Sequence, residues 1–559
     1  MKKPAAHPIS RSAARGFQRR DFLRTLGLAA ATFPQLLRAA DRPRRPPNIV
    51  LIMADDLGFS DLGCYGSEIR TPHLDALAAR GVRFSQFYNC AVCCPTRGSI
   101  MTGLYPHQSG MGWMVQHNSD TRPPGPYQGY LNDRCLTLAE ALKGAGYRTF
   151  MSGKWHLGEN RPHWPVDRGF DRSFGLLSGL NYYGYLDKEW VPGLVRHMFQ
   201  DDRPYFPKTP GFYLSDAIAD HAVEFLEGTP VDGDPFFLYL PVYAPHYPLH
   251  APEEAIAKYR GRYRQGWDAV RRERYARLRA SGIIGDESPL SPRDPGVPAW
   301  TEVEDPDLMD LKMAIYAAQI EIMDAGIGRV FEQLRKSGRE EDTQIFFLSD
   351  NGGCEGDLSG VRPKELNSAP YLGGPESYDG YGRGWANVSG TPYRKFKTMM
   401  QEGGIATPMI AAGPCVRGQP GRLCRDVGHV MDFMPTCLEI AGAPYPAQFK
   451  GRELPPLEGA SLMKSLRGES NPRVRPIYWE FEGRRAMRDG PWKLIGADNA
   501  AWELYDLSQD RSELHDLARQ QPERVREMST RYAAWADRCG IRPWAEVAPR
   551  MKNVLPVKV

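Results

Sequence analysis

Short uninterrupted apolar runs alternate along this chain with segments whose apolar residues recur every three to four positions. Asn48–Ala54 is apolar almost throughout and stops at Asp55-Asp56-Leu57-Gly58. Such a run, with no in-out alternation, predicts a strand buried on both faces, as in parallel sheets. The same pattern predicts strands over 147–151, 235–243 and Thr343–Ser349. Helical spacing predicts helices over 71–78, 136–142 and roughly 311–334, the first ending before Gly81 and the second at Gly144-Ala145-Gly146. Strands alternating with helices predict an α/β fold, a large and mostly parallel mixed sheet sandwiched by helices.

The pattern changes after a helix predicted from Asp432 to Ala441. Segments 477–481, 485–488, 492–495 and 502–505 are short and divided by turn residues. They predict a smaller antiparallel sheet, packed by a helix over 522–536. The organisation expected is a large α/β domain over 46–430 and a C-terminal subdomain over 431–559. Residues 258–300 read as an Arg/Trp-rich helical insertion followed by an irregular loop, and 355–394 as a long Gly/Pro/Tyr-rich loop over the site.

Composition adds little except at the N-terminus. The 559 residues are 42% hydrophobic and 25% charged, as in an ordinary soluble globular protein. A net charge of +4 gives no reason to invoke nucleic acid or an anionic membrane. Residues 1–40 carry Arg19-Arg20-Asp21-Phe22-Leu23, then an apolar run over 25–33 and small residues at Ala39-Ala40. This predicts a twin-arginine export signal, with the twin-arginine translocase as partner and a periplasmic or secreted destination. A disordered arginine-rich tail is the alternative. The run is too short for a stable membrane span. The ten cysteines show neither tandem C-x-x-C pairs nor a zinc pattern, and their spacing assigns no pairing.

Groups capable of chemistry follow the predicted strands, at the edge where open α/β sheets bind ligands. Adjacent carboxylates at Asp55 and Asp56 repel unless a cation or protons neutralise them, which points to a metal, with a helix cap and a solvated acid as the plainer reading. Asp350-Asn351-Gly352 adds a carboxylate and an amide oxygen, although Asp-Asn-Gly is also a turn sequence. Lys154 and His156 lie two apart between Gly153 and Gly158, so in an extended chain both point one way. His246 occupies the proline-rigid turn Ala244-Pro245-His246-Tyr247-Pro248, and His250 reads as a loop histidine in water. Lys397 lies five residues before Glu402-Gly403-Gly404, with Lys395 as the competing choice. Tyr182, Tyr183, Tyr185 and Trp190 fit an aryl or sugar platform, or simply core.

Cys93-Cys94-Pro95-Thr96-Arg97 sets a cysteine two residues before a proline and four before an arginine. Together with Asp55-Asp56, Gly153-Lys-Trp-His-Leu-Gly158, Ala244-Pro-His-Tyr-Pro248, Ser349-Asp-Asn-Gly-Gly353 and the Lys397…Glu402-Gly-Gly404 segment, in that order, it resembles the type I sulfatases of the alkaline phosphatase superfamily, in their bacterial arylsulfatase-like branch. That resemblance implies hydrolysis of sulfate esters, aryl or carbohydrate, by an enzyme whose Cys93 is converted to formylglycine by a formylglycine-generating or equivalent maturation enzyme. It implies Ca²⁺, with Mg²⁺ second, held by Asp55, Asp56, Asp350, Asn351 and the hydrate at position 93, an all-oxygen set. Asp350 would take the proton as the hydrate hydroxyl attacks sulfur, while Arg97 and His156 hold the other hydrate oxygen. Lys154, Lys397 and His246 would face the sulfuryl oxygens, with His246 or Lys397 serving the departing alcohol. His156 would then deprotonate the sulfated hemiacetal to expel sulfate. Thr96 departs from the serine that many members carry. Two alternatives stay open: a phosphonate monoester or phosphodiester hydrolase using the same cradle, and an exported binder of sulfated glycans without turnover.

Overall fold

A computed structural model describes Met1 and residues 45–551, apart from 116–121, 123, 180, 185–197, 209, 357, 359, 361–362 and 499. The predicted export signal, Tyr185 and Trp190 therefore lie outside the described residues. Among the described residues, eleven strands form the main sheet: β1 Asn48–Ala54, β2 Val82–Tyr88, β3 Arg148–Lys154, β4 Arg172–Leu176, β5 Met198–Gln200, β6 Arg203–Tyr205, β7 Phe236–Pro241, β8 Thr343–Ser349, β9 Ala406–Ala412, β10 Arg422–Cys424 and β11 Gly428–His429. Their order is β10-β2-β9-β8-β1-β7-β3-β4-β5-β6, with β11 also paired to β2.

The centre is parallel. β1 runs between β7 and β8 with all seven of its residues buried, which is why its sequence shows no alternation. β3 pairs in parallel with β7 and β4, so four strand ends (β1, β3, β7 and β8) open on one edge. β9 is antiparallel to both β8 and β2, so it begins at that edge. The apolar pattern did not mark β2, whose register shifts between Phe84 and Phe87; the shift breaks both alternation and run.

Helices fall into two layers. One is built from Pro72–Arg80, Leu214–Glu227 and Pro306–Lys336, the other from Cys93–Thr102, Leu138–Gly144 and Phe433–Ala441. Among the described residues, no helix is long and apolar enough to cross a membrane.

Two irregular regions are more ordered than their composition suggests. The insertion contributes the helix Trp267–Ala280, whose fully buried Arg274 bonds Asp61 at 2.5 Å and Glu68 at 2.8 and 2.9 Å. Within 355–394 the helix Gly382–Ser389 is core rather than loop. It buries Trp385, and its Ser389 carbonyl accepts from Ser60 N–H at 3.0 Å, beside the end of β1.

A hairpin (β12 Gln448–Phe449, β13 Arg452–Glu453) precedes the antiparallel meander β14 Ile477–Phe481, β15 Arg484–Asp489, β16 Trp492–Ala497 and β17 Glu503–Asp506. The helix Pro522–Arg538 covers it, setting Met528, Tyr532 and Trp535 against Met487, Leu494 and Leu504. Buried Lys493 ties this sheet to the edge of the main one, its Nζ donating to Glu402 Oε1 at 2.8 Å and Glu513 Oε1 at 2.6 Å.

Candidate active site

The strand-end edge gathers the acids, lysines, histidines and cysteine singled out above for metal and nucleophile chemistry. Asp55 and Asp56 follow β1, Lys154 ends β3, His246 lies beyond β7, and Asp350 and Asn351 follow β8. Cys93 is the first residue of its helix and Lys397 lies nine residues before β9. All are buried, with Asp55, Asp350, Asn351, Arg97 and Lys154 at 0% exposure.

Left-handed backbone shapes this edge. Asp56 (φ 66°), Ala91 (φ 63°), His156 (φ 59°) and Thr398 (φ 69°) all have positive φ without being glycine. The conformation is unfavourable for alanine and threonine, and such strain collects at functional sites. Thr398 N–H donates to Ala91 O at 2.9 Å, locking the Lys397 segment to the approach of Cys93. Lys154 and His156 do reach the same site, but not by strand alternation: the chain turns left-handed at His156.

Three carboxylates stand against three cations. Lys154 Nζ donates to Asp55 Oδ2 at 2.6 Å and Lys397 Nζ to Asp56 Oδ1 at 2.6 Å. Arg97 donates to Asp350 Oδ2 from Nε (3.2 Å) and Nη2 (2.8 Å), approaches Asp55 Oδ2 at 3.3 Å, and holds the Lys154 carbonyl at 2.6 Å through Nη1. Each lysine stands over an aromatic face, Lys154 over Tyr243 and Lys397 over Tyr247. Lys395 instead pairs with Asp294 at 2.7 Å.

The acceptors are over-supplied. Asp55 Oδ1, Asp56 Oδ2 and Asn351 Oδ1 are buried and accept no hydrogen bond among the described residues. Asn351 Nδ2 donates to Asp56 Oδ1 at 2.7 Å, which leaves its carbonyl oxygen to the site. Asp350 Oδ1 takes the Asp56 N–H at 3.2 Å. Burial raises Asp55, but Lys154, His246 and Arg97 override it and hold this carboxylate well below its usual range. Burial, and then repulsion from Asp55, push Asp350 well above its own. A buried carboxylate pressed toward protonation by its neighbour is a cluster short of positive charge. Hard, orphaned oxygens from two carboxylates and an amide fit an oxygen-seeking divalent ion. Asp55, Asp56 and His246 offer ligand atoms within 4.8 Å of one another, so His246 borders the same position.

On the nucleophile side, Cys93, Cys94 and His156 form a second compact group. A hydrogen bond from Cys94 lowers the Cys93 thiol well below its usual value; burial opposes this, and Lys154, His156 and Lys397 reinforce it. Burial brings His156 down to about 4, and His246 likewise to about 4, so both rings are neutral near pH 7. His246 Nδ1 meets the Tyr247 carbonyl at 2.6 Å, which requires the proton on Nδ1 and turns Nε2 toward Asp56 Oδ2 at 3.6 Å. Lys397 is held well above its usual value: burial opposes the charge, but Asp56 outweighs it.

Several supporting contacts escaped sequence reasoning. Thr96 Oγ1 donates to the Asp350 carbonyl at 2.6 Å, a bond that serine would also make. Ser349 Oγ accepts from Leu57 N–H and donates to Asn351 O, pinning the two strand ends together. Tyr182 supports His246 from below, its buried hydroxyl donating to the His246 carbonyl at 2.9 Å. Tyr183 donates to Gly373 O at 3.2 Å. His250 is not in water: it is buried, with Nε2 2.9 Å from Ser377 O. Hydroxyl-to-carbonyl bonds of this kind leave no spacing signal in a sequence.

The chain matches the sulfatase family model over residues 47–443, and a model described as N-sulphoglucosamine sulphohydrolase, C-terminal, over 393–532. It is 36% identical to an uncharacterized sulfatase of Schizosaccharomyces pombe, across 89% of this chain and 94% of that one. It is 37% identical to an arylsulfatase of Klebsiella aerogenes, across 74% of this chain and 91% of that one. Among solved structures, Ps i-CgsB in complex with k-i-k-neocarrahexaose matches at a TM-score of 0.65 and 25% identity, covering 88% of this chain and 93% of that one.

Proposed function

The chain belongs to the sulfatase family and hydrolyses sulfate esters, and from that premise we propose how it does so. The nucleophile is a formylglycine made from Cys93, whose hydrate would supply a hard oxygen in place of sulfur. Asp55, Asp56, Asp350 and Asn351 hold a divalent cation, Ca²⁺ before Mg²⁺, which when bound would polarise the sulfate and acidify the hydrate. The observation that carries this reading is the set of three orphaned buried oxygens on Asp55, Asp56 and Asn351.

The remaining residues divide the work by charge. Lys154 and Lys397 face the sulfuryl oxygens, where charge moves as the S–O bond breaks. Lys397, protonated and adjacent to neutral His246, supplies the proton or the charge that the departing alcohol needs. His156, neutral and beside position 93, receives the proton when sulfate is expelled and the aldehyde returns. Arg97 orients Asp350 as the base for the attacking hydroxyl. The arylsulfatase relative supports an aryl sulfate as substrate, and the oligosaccharide complex supports a sulfated carbohydrate. Domain limits at 46–430 and 431–559, a maturation enzyme acting on Cys93, and twin-arginine export from residues 1–40 to the periplasm or beyond complete the proposal.

Parallel assays of an aryl sulfate and an aryl phosphonate test it. We expect the sulfate to give the larger kcat/KM; a phosphonate rate constant well above it would transfer the site to phosphonate ester chemistry. A Cys93 peptide that keeps its thiol in protein from the native host would remove the nucleophile.

A further inference from the structure

Away from the catalytic edge, a cavity of about 480 Å³ opens between β2 and the C-terminal meander, and none of the site residues above lines it. Its walls carry five arginines, Arg425, Arg473, Arg475, Arg488 and Arg511, against two carboxylates, Glu287 and Asp426. For a protein of net charge +4, that is a concentrated positive lining.

The arginines are only partly satisfied from within. Arg511 is 3% exposed; its Nε donates to Glu402 Oε2 at 2.9 Å and its Nη1 to Ser85 O at 2.6 Å, but Nη2 has no acceptor among the described residues. Arg473 pairs through both terminal nitrogens with Asp432, leaving Nε without an acceptor. Among the described residues Arg488 donates to neutral oxygens, on Tyr88, Gln86 and Gly490. Arg425 and Arg475, both exposed, donate to the carbonyls of Gly282 and Leu457 respectively. Guanidiniums turned toward carbonyls keep their full charge, and buried N–H groups without acceptors are rare enough to call for a ligand.

Planar N–H forks suit tetrahedral oxyanions. The volume lies within the range of small-molecule sites, roughly 300–1,000 Å³, so it has room for more than a bare ion. We propose that this cavity is a second anion site, distinct from the catalytic centre, which binds a sulfate group either free or carried on a saccharide. The anion-binding character of the cavity stands on these residues alone; the choice of sulfate among tetrahedral oxyanions rests on the proposed function.

The test is calorimetric titration of full-length Cys93→Ala protein, in which turnover is blocked, with and without the surface pair Arg425→Glu/Arg475→Glu. Inorganic sulfate and a monosulfated chondroitin disaccharide are titrated separately. The expected result is two bound ligands per chain falling to one in the charge-reversed protein. Loss with inorganic sulfate identifies a free-oxyanion site, and loss with the disaccharide alone identifies a saccharide site. In otherwise wild-type protein the same pair should leave kcat/KM for 4-nitrophenyl sulfate within about twofold, since neither arginine touches the catalytic residues. Unchanged stoichiometry with both ligands would overturn the proposal, as would a tenfold loss of 4-nitrophenyl sulfate turnover, which would make the cavity part of the catalytic site.

Discussion

At the scale of single residues, the site is a problem of charge placed in a dry interior. Asp55, Asp56 and Asp350 are matched one for one by Lys154, Lys397 and Arg97, yet oxygens on Asp55, Asp56 and Asn351 are left over. In the proposed site those leftover oxygens would hold the cation. Replacing Asp56 by alanine should therefore abolish stoichiometric Ca²⁺ in purified protein, read by elemental analysis, and lower kcat by at least about a thousandfold. Retention of one ion per chain in that variant would contradict the assignment. Lys397→Ala should keep the metal but lose roughly 10²–10³ in kcat, because it removes one preorganised cation and not a ligand. Asp55, Asp350 and Lys154 stood out in the sequence because each follows a buried strand, whereas Arg97 stood out by its spacing from Cys93 and Pro95, and Lys397 by the glycine pair that follows it. Their partners did not: Lys397 was separated from Lys395 only by seeing which one reaches Asp56, and Thr96 and Ser349 act through backbone carbonyls.

Among the elements, the parallel centre was readable because strands buried on both faces must be apolar throughout, as β1 and β8 are. β2 and β9 went unread, one interrupted by its register shift and the other following a glycine turn without polar alternation. The close approach of β3 to β4 on one side and to β7 on the other depends on two glycines. A Cβ on Gly175 (φ 151°) would stand 1.7 Å from Gly153 O, and one on Gly153 (φ 139°) would stand 2.0 Å from Pro241 O. Gly175→Ala should then cost more than about 3 kcal/mol in denaturant unfolding and displace Lys154 at the end of β3. A stability change below about 1 kcal/mol would show that the strands separate more easily than this packing implies.

Over the whole molecule, the C-terminal sheet is fastened to the catalytic edge by buried charges that look like ordinary surface residues in the sequence. Glu402 and Glu513 share Lys493. Burial raises Glu402, but Lys493, Arg511 and Arg488 override it and bring it to about 2, below its ordinary 4.5; burial and then repulsion from Glu402, against the pull of Lys493, leave Glu513 at about 7. The signs are opposite. Glu402, depressed, contributes stability above about pH 4.5 that is lost as pH falls toward 2; Glu513, raised, contributes stability below about 4.5 that is lost as pH rises through 7. Wild-type protein should thus lose stability between pH 4.5 and 7 that Glu513→Gln does not lose, as judged by urea midpoints at each pH. Parallel curves for the two proteins would show that Glu513 is ionised throughout.

The most direct test of the central claim is an experimental structure of protein matured in its native host, refined at a resolution that distinguishes sulfur from oxygen at position 93. The account predicts an oxygen-bearing formylglycine hydrate there, and one cation within about 2.6 Å of oxygens from Asp55, Asp56, Asp350 and Asn351. A thiol at position 93, or those four side chains holding only water, would contradict it.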